Sequence, residues 1–184
     1  MSSIEVHGYA IVSRDDRIAD AAGAMPAALR NEADWVYFQA ELDRADFIAI
    51  GRVSHEATPN LRRRRRLVMS RAARGLETRA DALWWNPQEL AFVDLMRTLA
   101  PEGGRVAVPG GQAAFDLFLT VGYAGFHLSR ATRVALPGGR GLFAVCERGT
   151  PAETALGQAG LVAGPTSDID RSAGVTLTVW RPGA

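Results

Sequence analysis

Apolar residues fall along this chain in short runs and helical periods that alternate with one another. Ile4 to Val12 alternates loosely between apolar and polar positions, the period-two signature of a strand. Ser13 to Asn31 has no sustained apolar period and carries charges of both signs, Gly23 and Met25-Pro26. It predicts a loop long enough to be functional or mobile. From Glu32 to Arg44, Trp35, Phe38 and Leu42 recur at helical spacing with Val36 flanking, and Asn31 is placed to cap that helix. Phe47 to Ile50 is a short apolar run bounded by turn signals, which reads as a buried central strand, and a short helix follows around Ser54. Leu67-Val68-Met69-Ser70-Arg71 predicts a strand that ends in a hydroxyl and a cation, and Leu83-Trp84-Trp85 a further short one. Asn86-Pro87-Gln88-Glu89 combines a cap, a first-turn Pro and a Glu at the third position. It predicts a helix running to about Leu99 with Phe92, Leu95, Met96 and Leu99 inward. Arg105 to Val108 predicts a strand, Pro109-Gly110-Gly111 a turn, and Gln112 to Val121 a helix.

Strands and helices alternate up to this point, which argues for a mostly parallel sheet with helices on both faces, an α/β fold. The remainder differs. Phe126 to Arg130, Leu142 to Cys146 and Val175 to Trp180 read as strands of an antiparallel closing section, and Gly149 to Ala173 reads as a polar surface excursion. No repeat or linker divides the 184 residues, so one domain over 1–184 is expected.

Composition narrows the partners. Apolar residues make up 47% and charged residues 22%, a globular balance. The net charge is only +1, which gives no general reason to expect nucleic acid or an anionic membrane. Every cationic side chain is Arg, and the run Arg62 to Arg66 reads as a solvated loop. Cys146 stands alone, so no internal disulfide can form, and no leader or long apolar run is present; a cytoplasmic protein is expected. His7, His55 and His127 are scattered without metal-ligand spacing, so no metal is expected. A homodimer is one allowed assembly.

The chemistry concentrates at Ala45 to Glu56. A strand that ends in Gly51 and opens a helix near Ser54 presents free backbone N–H groups, and Arg52 adds a positive fork. This reads as the seat of a phosphate of a dinucleotide. Gly138-Gly139-Arg140-Gly141 lacks the G-x-G-x-x-G spacing of a Rossmann turn.

Several pieces, in order, resemble the dihydrofolate reductase family and the wider group sharing its fold, including the reductase domain of the riboflavin-biosynthesis deaminase/reductase. Asp16-Arg17-Ile18 and Ala24-Met25-Pro26 resemble the family's loop over the nicotinamide. Ala33 to Phe38 resembles its substrate helix, and Ile50-Gly51-Arg52-Val53-Ser54-His55-Glu56 its Gly-Arg-x-Ser/Thr-x-Glu phosphate turn. Leu67 to Arg71 resembles the strand ending at the adenosine 2′-phosphate, and Gly110-Gly111 the second phosphate turn. The resemblance implies a three-layer dihydrofolate reductase-like fold and NADPH as cofactor. It implies that Gly51, Arg52, Ser54, Gly110, Gly111 and Gln112 face the pyrophosphate side and Ser70 and Arg71 the 2′-phosphate. It also implies Asp34 as the catalytic and substrate-binding carboxylate, Phe38 packed on the substrate ring, Arg64 at the substrate's carboxylate tail and Ser129 as a substrate-site hydroxyl. In that family the Gly-Gly peptide is often cis.

The departures lie on the substrate side. Ala27 stands where folate enzymes carry Trp, and two extra residues separate that loop from Asp34. Trp35 is bulky beside the folate-tail position, and Pro109 replaces an aliphatic residue. The resemblance therefore implies an NADPH-dependent reductase of a pterin-like or other small heterocyclic substrate. The alternatives are a riboflavin-pathway-type reductase of a ribosylamino-pyrimidine and a non-catalytic nucleotide-binding protein. None of these residues is expected to form a deaminase half, since no H-x-E with P-C-x-x-C zinc pattern occurs among them.

Overall fold

A computed structural model describes residues 3–183. Its centre is a nine-stranded sheet. The strands are β1 (Ile4–Ser13), β3 (Phe47–Gly51), β4 (Arg66–Met69), β5 (Leu76–Thr78), β6 (Leu83–Trp85), β7 (Gly104–Gly110), β8 (Gly125–Ala131), β10 (Leu161–Asp170) and β11 (Val175–Pro182). Their spatial order is β10-β11-β8-β1-β7-β3-β4-β6-β5. The central pairs β8-β1, β1-β7, β7-β3, β3-β4 and β4-β6 are parallel; β10-β11, β11-β8 and β5-β6 are antiparallel. A separate two-stranded ribbon joins β2 (Arg17–Ala19) to β9 (Arg140–Gly141). The expected α/β architecture, mostly parallel with an antiparallel closing section, is the one present.

Strand alternation divides the core. Phe47 and Ala49 of β3 face the larger cluster, where α3 (Phe92–Leu99) and α4 (Gln112–Val121) lay Phe92, Leu95, Met96, Phe115 and Phe118 against Val106, Val108 and Trp85. Ile48 faces the opposite side, where Tyr9, Ala107 and Leu42 meet α1 (Glu32–Leu42). The short α2 (Arg52–Ala57) lies outside, with none of its residues buried.

Four elements differ from the pattern-based reading, each because tertiary contacts outweigh the local signal. The helix after β6 begins at Phe92, not at the Asn86 signal. Asn86 is buried and spends its side chain on Gln88 N–H (3.1 Å) and Arg71 O (3.2 Å). Glu89 turns to accept Gly75 N–H at 2.7 Å instead of closing a capping box. Leu142 to Cys146 is not a strand: a 3₁₀ helix spans Ala144–Arg148, its start bonded to the Asp116 carboxylate, and the apolar run reflects burial in the core. The stretch expected as a surface excursion holds α5 (Ala152–Gln158), which buries Ala152, Ala155 and Leu156, and the edge strand β10. That strand is bulged between Ala163 and Thr166 and mostly exposed, so it shows no inward apolar face. Within the Ser13–Asn31 segment, β2 and a 3₁₀ turn at Ala27–Leu29 bring local order, and Asp15 and Asp16 anchor its start. Asp15 accepts Ser13 Oγ (2.6 Å) and Leu136 N–H (2.9 Å); Asp16 accepts Arg130 Nη2 (2.7 Å) and Ala152 N–H (3.1 Å).

Candidate active site

The carboxyl-terminal ends of β3 and β7 lie side by side, with Ile50 opposite Gly110 in the parallel register. Each strand runs into a helix, α2 from Gly51 and α4 from Gly111, and neither helix start has a side-chain cap. Uncapped first turns leave backbone N–H groups without intrahelical partners, and here two such turns open on one crevice. Gly111 adopts φ +85°, and a Cβ there would sit 3.5 Å from Ser54 Oγ and 4.0 Å from Gly51 N. At Gly51 and Gly110 a Cβ would meet nothing within 4 Å. The two glycine bends thus form the walls of one open crevice. No peptide bond among the described residues is cis, so the Gly110–Gly111 bond departs from the family habit, and the positive φ of Gly111 makes the bend.

The other residues expected at the cofactor have their side chains in varied states. Arg52 is exposed and its Nη1 sits on the Glu56 carboxylate at 2.9 and 3.0 Å. Ser70 lies past the end of β4, buried, and its hydroxyl accepts Ala72 N–H at 3.2 Å. Arg71 is exposed and its guanidinium has no hydrogen-bond partner among the described residues. Gln112 opens α4 but turns its amide to Gly141 O (3.0 Å) and Glu147 Oε1 (2.8 Å). Free backbone donors, open space at Gly51 and Gly110 and a free guanidinium at Arg71 suit a phosphate-bearing cofactor.

On the α1 face, Asp34 is half-buried in the first turn of the helix, its N–H capped by Asn31 Oδ1 at 3.0 Å. Burial lifts its carboxyl above the usual carboxylate range, against the pull of the Ser129 hydroxyl beside it. Ser129 is buried on β8, between Ile11 of β1 and Leu177 of β11. Phe38, one turn on, packs edge-on to Tyr9 with ring centroids 6.4 Å apart. Arg64 is held at the other end of α1, with Nη2 on Asp43 Oδ1 (2.6 Å) and Gln39 Oε1 (2.8 Å).

Sequence reasoning missed the rest of this wall. α1 carries its polar residues toward the sheet: Tyr37 hydrogen-bonds His127 Nδ1, and the buried Glu41 accepts Tyr9 Oη (3.1 Å), Arg105 Nη2 (2.7 Å) and Arg44 Nη1 (2.6 Å). His127 stacks on Tyr9 at 4.5 Å, and burial pushes its pKa down to about 4, so it is neutral at neutral pH. Burial, with Glu41 adding, pushes Tyr37 up to about 12. Trp35 and Val36, read as part of the inner apolar period, face outward at 53% and 60% exposure. The available signal was Asp34, Tyr37 and Glu41 at spacings of three and seven, which places them on the same face as Phe38.

The sheet order, the paired glycine bends and the carboxylate-bearing helix together define the dihydrofolate reductase-like fold, and this chain has it. A dihydrofolate reductase from Enterococcus faecalis, in a structure complexed with NADP(H) and RAB-propyl, superposes with a TM-score of 0.68 at 10% identity, over 98% of this chain and 97% of that one. A riboflavin-pathway protein from Thermotoga maritima, a diaminohydroxyphosphoribosylaminopyrimidine deaminase/5-amino-6-(5-phosphoribosylamino)uracil reductase, gives 0.64 at 16% identity over 98% of this chain. This chain spans only 57% of that protein's length. A protein from Shewanella sp. PV-4 described as belonging to riboflavin biosynthesis gives 0.65 at 17% identity, covering 98% of this chain and 100% of that one. No protein-family model and no curated protein matches the sequence. Among the described residues, no helix is long and apolar enough to cross a membrane.

Proposed function

We propose that this chain is an NADPH-dependent reductase that passes a hydride to a pterin-like or other small heterocyclic substrate. The observation that carries this reading is the placement of the Gly51 and Gly110-Gly111 bends on neighbouring strands, walling one crevice. NADPH, when bound, supplies the hydride; the protein's part is position and charge. The backbone donors at the starts of α2 and α4, with Arg52, Ser54 and Gln112 around them, hold the pyrophosphate. Ser70 and Arg71 meet the 2′-phosphate, where a guanidinium favours a phosphorylated ribose.

Asp34 accepts the amino edge of the ring and, because burial keeps its proton on to higher pH, holds a proton beside the reacting nitrogen. Ser129 fixes that carboxyl, and Phe38 packs against the ring. Arg64 takes part only if a substrate anion replaces Asp43 on its guanidinium. NADPH oxidation with dihydrofolate, and separately with a ribosylamino-pyrimidine, tests this function. Asp34→Asn should abolish turnover and leave NADPH binding intact; an unchanged kcat removes Asp34 from the mechanism. Tight NADPH binding with no turnover on either substrate would favour a binding protein.

A second reading, a riboflavin-pathway-type reductase of a ribosylamino-pyrimidine, is favoured by one observation. Two of the structures that superpose on this chain are described by names from riboflavin biosynthesis or from a phosphoribosylaminouracil reductase.

A further inference from the structure

The run Arg62 to Arg66 divides by position, and two of its members are left over. Arg62 and Arg64 turn onto Asp43. Arg66 is buried and gives its Nη1 to Thr58 O (2.7 Å), His55 Nδ1 (3.0 Å) and His55 O (3.4 Å). The guanidinium groups of Arg63 and Arg65 are exposed and have no hydrogen-bond acceptor or carboxylate among the described residues.

The loop that displays them is built, not loose. The Asn60 side chain accepts Arg64 N–H at 3.0 Å and donates to Arg64 O at 2.8 Å. Arg63 is held at φ +52°, and the Arg65 guanidinium carbon lies over the Phe47 ring, 4.3 Å from its centroid. Between this loop and the hairpin turn at Ala80 to Leu83 runs a groove of about 470 Å³, lined by Arg63 and Arg65.

The groove carries uncompensated charge. Its one lining carboxylate, Asp81, is already engaged, with Oδ2 on His55 Nε2 (2.8 Å) and Oδ1 on Trp84 Nε1 (3.1 Å). His55 in turn takes the Arg66 N–H on its other nitrogen, so the charge of Asp81 is directed inward to Arg66. Burial and the neighbouring Arg64 hold the pKa of the Arg66 guanidinium below its usual value, but a guanidinium keeps its proton, so the cluster stays positive.

We propose that this groove is an anion-binding site for a phosphorylated small molecule, gripped by the forks of Arg63 and Arg65. Guanidinium forks match phosphate oxygens in pairs, and the ordered loop removes part of the entropy cost of binding. The site lies at the amino-terminal ends of β4 and β6, the opposite end of these parallel strands from Gly51, so it is separate from the crevice of the proposed cofactor. Net charge near zero and a lining without aromatic side chains favour a small ligand over a nucleic acid.

The test is calorimetric titration of the full chain with inorganic pyrophosphate under saturating NADPH, at low and moderate salt. The expected result is one site per chain, weakened by salt, with Arg63→Gln and Arg65→Gln each raising the Kd about tenfold or more and leaving NADPH affinity unchanged. Melting temperatures accompany both variants; because Arg65 also packs on Phe47, the exposed Arg63 gives the cleaner comparison. No pyrophosphate binding, or binding indifferent to both substitutions, overturns the proposal. A single-stranded oligonucleotide binding more tightly than pyrophosphate overturns the choice of a small ligand.

Discussion

Gly51→Ala separates the two reasons a glycine can stand at a strand-to-helix bend. Gly51 has φ −69° and ψ 151°, a conformation any residue adopts, and an added Cβ meets no atom within 4 Å. The folded chain by itself therefore has no need of glycine here. Replacing Gly by Ala at a compatible site reduces unfolded-state freedom and stabilises by about 0.4–1 kcal/mol. For a chain of this size that raises Tm by roughly 1–4 °C. The new methyl would project into open space at the bend, where the proposed pyrophosphate approaches the backbone. Losing one charge-assisted hydrogen bond costs about 1.5–3 kcal/mol, or roughly 10- to 150-fold in Kd. Thermal melts of the apo chain and NADPH titration by fluorescence measure the two effects. A variant that is more stable and binds NADPH with unchanged affinity would refute the cofactor assignment of this bend. Gly111→Ala is the contrast: at φ +85° a side chain is strained, so it should lose about 1–3 kcal/mol of stability as well as affinity.

Arg71→Ala should weaken NADPH far more than NADH, by about tenfold or more, in parallel titrations; equal losses would remove Arg71 from the 2′-phosphate. Glu41→Ala strands Arg105 and Tyr9 under α1 and should cost about 3–5 kcal/mol by chemical denaturation, whereas a loss below about 1 kcal/mol would show that the buried network holds little. His127 binds its proton less readily when folded, so between pH 6.5 and about 4 the unfolded chain takes up more protons and stability falls on acidification. The half-buried His7 adds to this slope, while the raised carboxyl of Asp34 opposes it. His127→Gln should flatten the stability profile across that window, and an unaltered profile would refute the assignment.

The sequence alone determined the parallel sheet, because its central strands are runs such as Phe47 to Ile50, apolar on both faces, alternating with helices whose periods are legible. It also singled out the Gly51-Arg52 turn, since a glycine at a strand end beside a cation is a local signal, whereas Gly110, Gly111 and Asp34 stood out only through the family resemblance. Tertiary structure decided what depends on distant partners. Asn86 and Glu89 look like a helix start, yet bonds to Arg71 and Gly75 draw them into a turn. The edge strand β10 has no apolar face, because an exposed edge needs none, and only its ladder with β11 makes it a strand. The polar wall of Tyr37, Glu41, His127 and Arg105 arises from residues spread over α1, β7 and β8. A hydrogen bond between residues so far apart in the chain is set by how helix and strands pack, not by any spacing along one of them.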